Sequence, residues 1–363
     1  MLDIKRIRKE PDLVKAAVKN KNEKADIDQI LALDADRRQI VGDVETLKAK
    51  RNKATAEIAQ KKKAGEPAEE AIAAMRSLGQ EISALDERRR EVDEDLKQAM
   101  AWVPNIPHES VPTGPDESDN VVVREVGNIP EYDFELKPHW DIAANLKMLD
   151  SEAAARISGS GFLVLTGAGA RLQRGLVNFM LDMHTGDGFT EAHIPHLVTA
   201  DTMFGTGQLP KLDDDMYREP RDQLYLIPTS EVSLTNLYRD QIIDADSLPI
   251  RMVAHSPCYR REAGAAGKDT RGMLRVHQFD KVELVKIVHP DNSYDELESL
   301  VAQAEKVLQA LKLPYRVIAL ATGDLTFASS KTYDIEVWAP GLKRYLEVSS
   351  ISIFEDFQTR RMN

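Results

Sequence analysis

The sequence predicts an α+β protein, with an N-terminal antiparallel two-helix coiled-coil arm followed by an antiparallel β-sheet core flanked by helices. Two seams of apolar residues with 3/4 spacing mirror one another between residues 27 and 103. A proline-rich, acidic stretch follows them. Beyond it, short strand-like runs are joined by long loops instead of regular crossover helices. At 363 residues the chain is long enough for two domains.

The first seam runs through Ile30, Leu33, Arg37, Ile40, Val44, Leu47, Arg51, Ala54 and Ile58. The second runs through Met75, Leu78, Ile82, Leu85, Arg89, Val92, Leu96, Ala99 and Val103. Alternating steps of three and four keep one stripe of a helix facing a partner. Paired from Ile58 with Met75 back to Ile30 with Val103, the residue numbers add to 132 or 133 at every rung. An antiparallel hairpin demands that constant sum. Gly65 and Pro67 break the helix between the seams. At ~1.5 Å per residue, residues 27–63 form an arm of about 55 Å. Arg37, Arg51 and Arg89 each face an aliphatic residue, so their stems can cover apolar surface while the guanidinium reaches water. Such an arm can serve as a dimerisation or spacer coil. It can also serve as a reach device: near the tip Lys48, Lys50, Arg51, Lys53, Lys61, Lys62 and Lys63 outnumber Glu57, which suits a phosphate backbone.

Charge is unevenly placed. The chain holds 48 Lys+Arg and 60 Asp+Glu, for a net charge of −12. Residues 1–110 carry 22 side chains of each sign, so the whole excess lies in residues 111–363. That distribution excludes a uniformly basic nucleic-acid binder and leaves room for a basic tip. One cysteine, Cys258, excludes an intrachain disulfide and any cysteine-based zinc cluster, and suits a reducing cytoplasm. No apolar run approaches the ~18 residues needed to span a bilayer. Residues 1–10 lack the apolar core of a signal peptide. A soluble cytoplasmic protein is expected. Pro104, Pro107, Gly114 and Pro115, with acidic residues 116–119, read as a linker over 104–119.

In the second part, residues 171–184 carry helical spacing, stopped by Gly186 and Gly188. Residues 189–198 read as extended, interrupted at Pro195. Further strands are expected at 225–228, 252–262, 276–288, 332–338 and 344–350, and helices at 230–243 and 293–311. The string Gly264 to Asp269 resembles a phosphate loop, but its glycines stand too close together and Asp269 follows Lys268 where Ser or Thr is required. Gly159-Ser160-Gly161 and Gly167-Ala168-Gly169 read as turns, and the eight histidines show no metal-ligand spacing. Strand alternation puts Arg260 and Glu262 on one face, and Arg275, Phe279 and Glu283 on one face of the returning strand. Two readings fit such a face: exposed cross-strand ion pairs, or a site for a planar phosphate-bearing ligand together with an amine.

Longer strings add a resemblance. Cys258-Tyr259-Arg260-Arg261-Glu262-Ala263-Gly264, Lys268-Asp269-Thr270-Arg271-Gly272 and Arg275 through Glu283 closely resemble motif 2 of seryl-tRNA synthetases. The resemblance extends through Pro104 to His108, a motif 1-like segment over 188–198, Thr229-Ser230-Glu231, Lys331 to Trp338, Glu347-Val348-Ser349-Ser350 and Asp356-Phe357-Gln358. It covers essentially all 363 residues and displaces the ion-pair reading. It implies a class II synthetase-like core and ATP-dependent activation of serine, followed by transfer to tRNA(Ser), with tRNA(Sec) as a further candidate acceptor. It implies that Arg260 holds the α-phosphate and orients the serine carboxylate, and that Arg275 holds the triphosphate tail. It further implies that Phe279 stacks on adenine and Glu262 accepts from its amine, and that Glu347 and Ser350 bind Mg2+. On the same resemblance Glu283 would receive the serine hydroxyl, with Thr229 and Glu231 near the ammonium, the arm would grip tRNA, and motif 1 would build a homodimer. The implied organisation is a tRNA-binding domain over 1–103, the linker, and a class II catalytic core over 120–363.

The sequence departs from the family pattern in two places. Ile351 and Ile353 stand where the family carries cysteine and asparagine, removing hydrogen-bonding capacity beside the metal ligands. No residue before Asn363 matches motif 3, so the core is read as incomplete at its C-terminus and weak activation is expected of this chain. The alternative is a truncated, non-catalytic paralogue that binds tRNA or a partner. A ligase charging a carrier protein ranks last, because such relatives lack the arm and use cysteine-bound zinc.

Overall fold

A computed structural model describes residues 1–263 and 272–363. The chain divides into two compact units, one of Leu2–Lys19 with Glu23–Pro104 and the other of Met1, Asn20–Asn22 and Asn105–Asn363.

The first unit is helical. α1 (Ile4–Lys9) starts at Asp3, whose carboxylate accepts from the Lys5 N–H. α2 (Pro11–Asn20) starts on a proline, tolerated where no N–H partner is needed. Two long helices follow, α3 (Ile27–Ala64) and α4 (Glu69–Ala101). α3 is capped by Asp26 at its start, while Gly65 at its end has φ +72° and donates back to Lys61 and Lys62. A left-handed residue at that place favours glycine. Every predicted seam position is buried or half-buried. Ile40, Val44 and Val92 form a buried cluster with Leu33 and Leu85 packed on it; Ile40 and Val92 are one of the rungs that the constant sum requires. The arginines on the rungs do more than reach water. Arg37 Nε donates to Asp93 at 2.6 Å, and Arg89 lies 3.7 Å from Asp86.

The second unit is built on sheets. In chain order it holds β1 (Val121–Val126), α5 (His139–Asn145), α6 (Ser151–Ser158), α7 (Ala168–Gly186), β2 (Thr190–Glu191) and β3 (Leu197–Thr199). These are followed by α8 (Ala200–Gly205), β4 (Arg218–Glu219), β5 (Leu224–Leu226), α9 (Glu231–Thr235), β6 (Ile250–Tyr259) and β7 (Gln278–Ile287). The last elements are α10 (Ser293–Ala310), β8 (Tyr315–Ala319), β9 (Lys331–Ala339), β10 (Arg344–Ile353) and α11 (Thr359–Met362). Three sheets have the orders β1-β8-β9-β10, β2-β6-β7 and β3-β5-β4. All pairings are antiparallel except β2 with β6. The first sheet buries Val317, Tyr333, Ile335, Ile351 and Ile353 against Leu297, Val301 and Leu308 of α10. No described helix is long and apolar enough to cross a membrane.

Two expectations are corrected, and two strands are added. Residues 104–119 are not a free linker: Val111 packs with Ile318, Leu320 and Leu325, and buried Asn105 ties the segment down. Its Nδ2 donates to the carbonyls of Ala328 (3.0 Å) and Phe354 (2.9 Å), and its Oδ1 accepts from the Ile106 N–H. Asn105→Ala is expected to lose about 2–4 kcal/mol of stability, because buried partners are left unsatisfied; a shifted urea midpoint measures it. The helix expected over 230–243 ends at Thr235, with a 3₁₀ turn to Tyr238. Asn236 turns its amide to Thr202 and Val232, and Asp240, at φ 58°, donates its N–H to Met362. β1 and β8 were not anticipated. β1 is an edge strand whose three consecutive valines are exposed, so it shows no alternation.

Candidate active site

The site grows from the hairpin of β6 and β7, paired in register from Ile250 with Ile287 to Tyr259 with Gln278. The Arg260 N–H continues it to the His277 carbonyl at 3.0 Å. Alternation along β7 sets Phe279, Lys281 and Glu283 on one face, opposite Cys258, Ser256 and Ala254. Asp280, on the other face, meets His255 Nε2 at 2.8 Å. The strands end at Tyr259 and resume at Gln278. Arg260, Glu262 and Arg275 therefore lie beyond the ladder, and not on strand faces as the alternation had implied. Glu262 has φ 52°, a turn conformation that no strand contains.

These extensions still converge. The Arg260 guanidinium lies over the Phe279 ring, 5.1 Å from its centroid. Arg275 Nη1 donates to Glu262 Oε2 at 2.9 Å. Further along β7, Thr229 Oγ1 donates to Glu283 Oε2 at 2.9 Å, and Lys281 Nζ donates to Thr229 Oγ1 at 2.6 Å and forms an ion pair with Glu283 Oε2 at 2.6 Å. Glu231 stands beside them, its Oε1 accepting from Gln358 Nε2 at 2.6 Å. Buried Ser230 and Ser256 share a 2.6 Å hydroxyl contact that pins the turn at 229–231 onto β6. Burial, then the Glu283 charge, pushes the Glu231 carboxyl up to about 7; the Gln358 hydrogen bond and the Lys281 and Arg260 charges act against this.

A second wall comes from β9 and β10. Their register slips at Val348: Glu347 pairs with Glu336, Ser349 with Ile335 and Ser350 with Asp334. This β-bulge lets Glu347 and Ser350, three residues apart, share the face of Asp334 and Glu336. Burial raises the Glu347 carboxyl, Arg260 pulls it down, and Asp324 and Glu336 raise it again. Burial, then the Glu347 charge, raises Asp334, while a hydrogen bond from Ser350 opposes the rise. Buried Asp334 Oδ1 has no hydrogen-bond partner among the described residues. Among the described residues, no group of three His, Cys, Asp or Glu is arranged to hold a metal ion.

Comparison with known proteins matches residues 1–107 to the seryl-tRNA synthetase N-terminal domain and residues 212–363 to the tRNA synthetase class II core domain (G, H, P, S and T). The serine–tRNA ligase of Exiguobacterium sibiricum is 51% identical over 363 residues, covering 99% of this chain and 85% of its own. The chain belongs to the seryl-tRNA synthetases. The serine–tRNA ligase of Thermoanaerobacter pseudethanolicus is 53% identical over 364 residues, with 100% of this chain and 86% of its own covered. The crystal structure of seryl-tRNA synthetase from Pyrococcus horikoshii complexed with ATP superposes with a TM-score of 0.96 at 36% identity, covering 100% of this chain and 86% of that one. By family this is a class II aminoacyl-tRNA synthetase acting on serine, and the helical arm and antiparallel core are those of its relatives.

In this seryl-tRNA synthetase, Thr229, Glu231, Arg260, Phe279 and Glu283 gather on and beside β7, Glu262 and Arg275 pair beyond its end, and Glu347 and Ser350 share one face of β10. At the arm, Lys48, Lys50, Lys53, Lys61, Lys62 and Lys63 are exposed and Arg51 is half-buried. Lys48 Nζ lies 3.9 Å from Asp86. The phosphate-loop-like string at 264–269 and the motif 2 residues 268–271 lie outside the described residues. The expectation that Ile353 removes a polar partner from the metal ligands is corrected: Ile351 and Ile353 point into the apolar core, on the face opposite Glu347 and Ser350. Lys281, Gln358 and Asp334 were missed as site residues. Lys281 was legible, since it alternates between Phe279 and Glu283. Gln358 had only its place in a matching string to mark it.

Proposed function

We propose that the cleft activates serine with ATP and that the arm holds tRNA(Ser), with tRNA(Sec) a further acceptor to be compared in the same charging assay. The observation that carries this reading is the Arg260 guanidinium set over the Phe279 ring, on the β7 face that also holds Glu283. Adenine stacks on Phe279, with Glu262 accepting from its amine, while Arg275 takes the triphosphate. The Arg275–Glu262 ion pair is exposed at Arg275; such pairs are worth about 0–1 kcal/mol, so ATP can open it cheaply. Arg260 holds the α-phosphate and the serine carboxylate, whose oxygen attacks the α-phosphorus as pyrophosphate leaves. The cation stands where negative charge accumulates. The tRNA 3′-terminal hydroxyl then attacks the carbonyl carbon of the seryl-adenylate and AMP departs.

Glu347 and Ser350 fit a magnesium site: both supply oxygens on one face, which they share with Asp334 and its unpartnered, buried Oδ1, and Mg2+ uses one or two carboxylates plus phosphates and water. Bound there, the ion neutralises phosphate charge. A homodimer through residues 188–198 is supported by the exposed Leu197, and light scattering checks it.

Glu283 takes the serine hydroxyl and Glu231 the ammonium. An acid raised to about 7 keeps its proton longer in the folded than in the unfolded chain, where its ordinary value is near 4.5. Its stabilising contribution is thus full below about 4.5 and is lost as pH rises to about 7. Serine binding has the opposite sense, because the ammonium needs the carboxylate. The serine KM is expected to fall about ninefold from pH 6 to pH 8, as the ionised fraction rises from roughly a tenth to nine-tenths, and Glu231→Gln should flatten that profile. Serine-dependent exchange of labelled pyrophosphate into ATP tests the whole reading; exchange that ignores serine would end it.

A further inference from the structure

Between the adenine and hydroxyl positions, the β7 face carries a cation with no role in the chemistry above. Lys281 Nζ lies 2.6 Å from Glu283 Oε2 and 2.6 Å from Thr229 Oγ1, and that hydroxyl is itself 2.9 Å from the same Oε2. The three contacts close a triangle. Thr229 has one hydroxyl proton, which it gives to Glu283; the ammonium donates to the Thr229 oxygen and closes the triangle as an ion pair with the carboxylate. The hydroxyl and the ammonium therefore both lie against Oε2. Among the described residues, Oε1 of Glu283 accepts no hydrogen bond. The triangle rests on a rigid base, because Lys281 stands opposite Ser256 in the ladder and Ser256 is bonded to Ser230 of the adjoining turn.

We propose that Lys281 is the positioning residue for hydroxyl selection: with Thr229 it fixes Oε2 of Glu283, so that Oε1 is held in place as the acceptor for the serine hydroxyl. This rests on the reading that Glu283 receives that hydroxyl. The physical case is one of order and charge. A carboxylate rotates freely about its terminal bond unless one oxygen is fixed. Glu283 also stands near a second carboxylate, Glu231, so that without a cation beside it the pair repels. Lys281 answers both needs without touching the substrate. Discrimination against alanine, which lacks only the hydroxyl, depends on a polar acceptor that the wrong amino acid leaves unpaired. An acceptor free to turn away imposes that penalty poorly.

The test compares serine and alanine in pyrophosphate exchange. Lys281→Met is expected to raise the serine KM and to lower the serine-to-alanine ratio of kcat/KM, each by about tenfold or more, because part of a 10⁴- to 10⁵-fold hydroxyl selectivity is released. The KM for ATP should stay within about twofold, since Arg260 and Phe279 are untouched. Lys281→Arg, which keeps a cation, should recover part of the ratio. If Lys281→Met loses its thermal transition, Lys281→Gln serves with the same expectation. An unchanged ratio in a folded variant overturns the proposal, as does a parallel rise of the ATP and serine KM values, the mark of a general structural role. Glu283→Ala separates the two layers. Should it leave the ratio intact, the reading of Glu283 itself fails; should it collapse the ratio while Lys281→Met does not, only the role of Lys281 fails.

Discussion

Arg260→Ala is expected to lower serine-dependent pyrophosphate exchange by about 10²- to 10³-fold, the loss that follows removal of one preorganised donor from a site of developing negative charge. The residue is exposed, and its side chain has the Phe279 ring as neighbour, so the fold should not suffer. The backbone N–H, which continues the hairpin to His277, survives the substitution. The thermal midpoint should therefore hold while kcat falls. Arg260→Lys restores the charge but not the planar fork that grips two oxygens at once and lies flat over an aromatic ring. It should recover only a minor part of the rate. A loss below about tenfold in the alanine variant would move the transition-state role to another cation, with Lys281 and Arg275 the first to test among the described residues.

What was legible in the sequence follows from which physical signals are periodic. The arm was readable to within a residue at its start, because a seam repeated over many turns and mirrored across Gly65 has no competing interpretation. The β7 face was readable for the same reason, since alternation by two places Phe279 and Glu283 together. Alternation fails once the ladder stops. Arg260, Glu262 and Arg275 reach the cleft from beyond the strand ends, Glu262 with φ 52°, and alternation along the strands does not fix them. It fails again at Val348, where one inserted residue puts Glu347 and Ser350 on a common face. A regular strand would have set residues three apart on opposite faces. The same slip sends Ile351 and Ile353 inward, so their apolar character belongs to the core and not to the face of Glu347 and Ser350. Residues 104–119 misled because proline and acidic residues mark a linker by composition, whereas the contacts that anchor this segment, those of Asn105 and Val111, are to residues some two hundred positions away.

Shortening the arm should separate the two half-reactions. α3 and α4 run for 38 and 33 residues, about 57 and 50 Å, and the rungs dictate how they can be cut. Leu47 stands across from Leu85, so removing residues 48–84 while joining these two through the native 64–67 turn keeps the remaining seam in register. A cut on one helix alone would strand apolar residues of the other. None of the cleft residues lies in the removed segment, and exchange is expected to stay within about twofold. Transfer of serine to tRNA is expected to fall by at least about 10²-fold in kcat/KM, because the exposed lysines near the tip are lost with it and each phosphate contact contributes a steep salt-dependent attraction. The salt dependence of charging should flatten in parallel, by roughly 0.7–0.9 in log–log slope for every contact removed. Lys61, Lys62 and Lys63 also sit in the last turn of α3, where cations favour the helix end, so alanine at all three provides the control. If those lysines serve only the helix, the triple variant will destabilise the tip without altering the salt slope. Equal loss of exchange and charging in the shortened protein would make the arm a stability element, and full retention of charging would make it a spacer; either result removes tRNA from the arm.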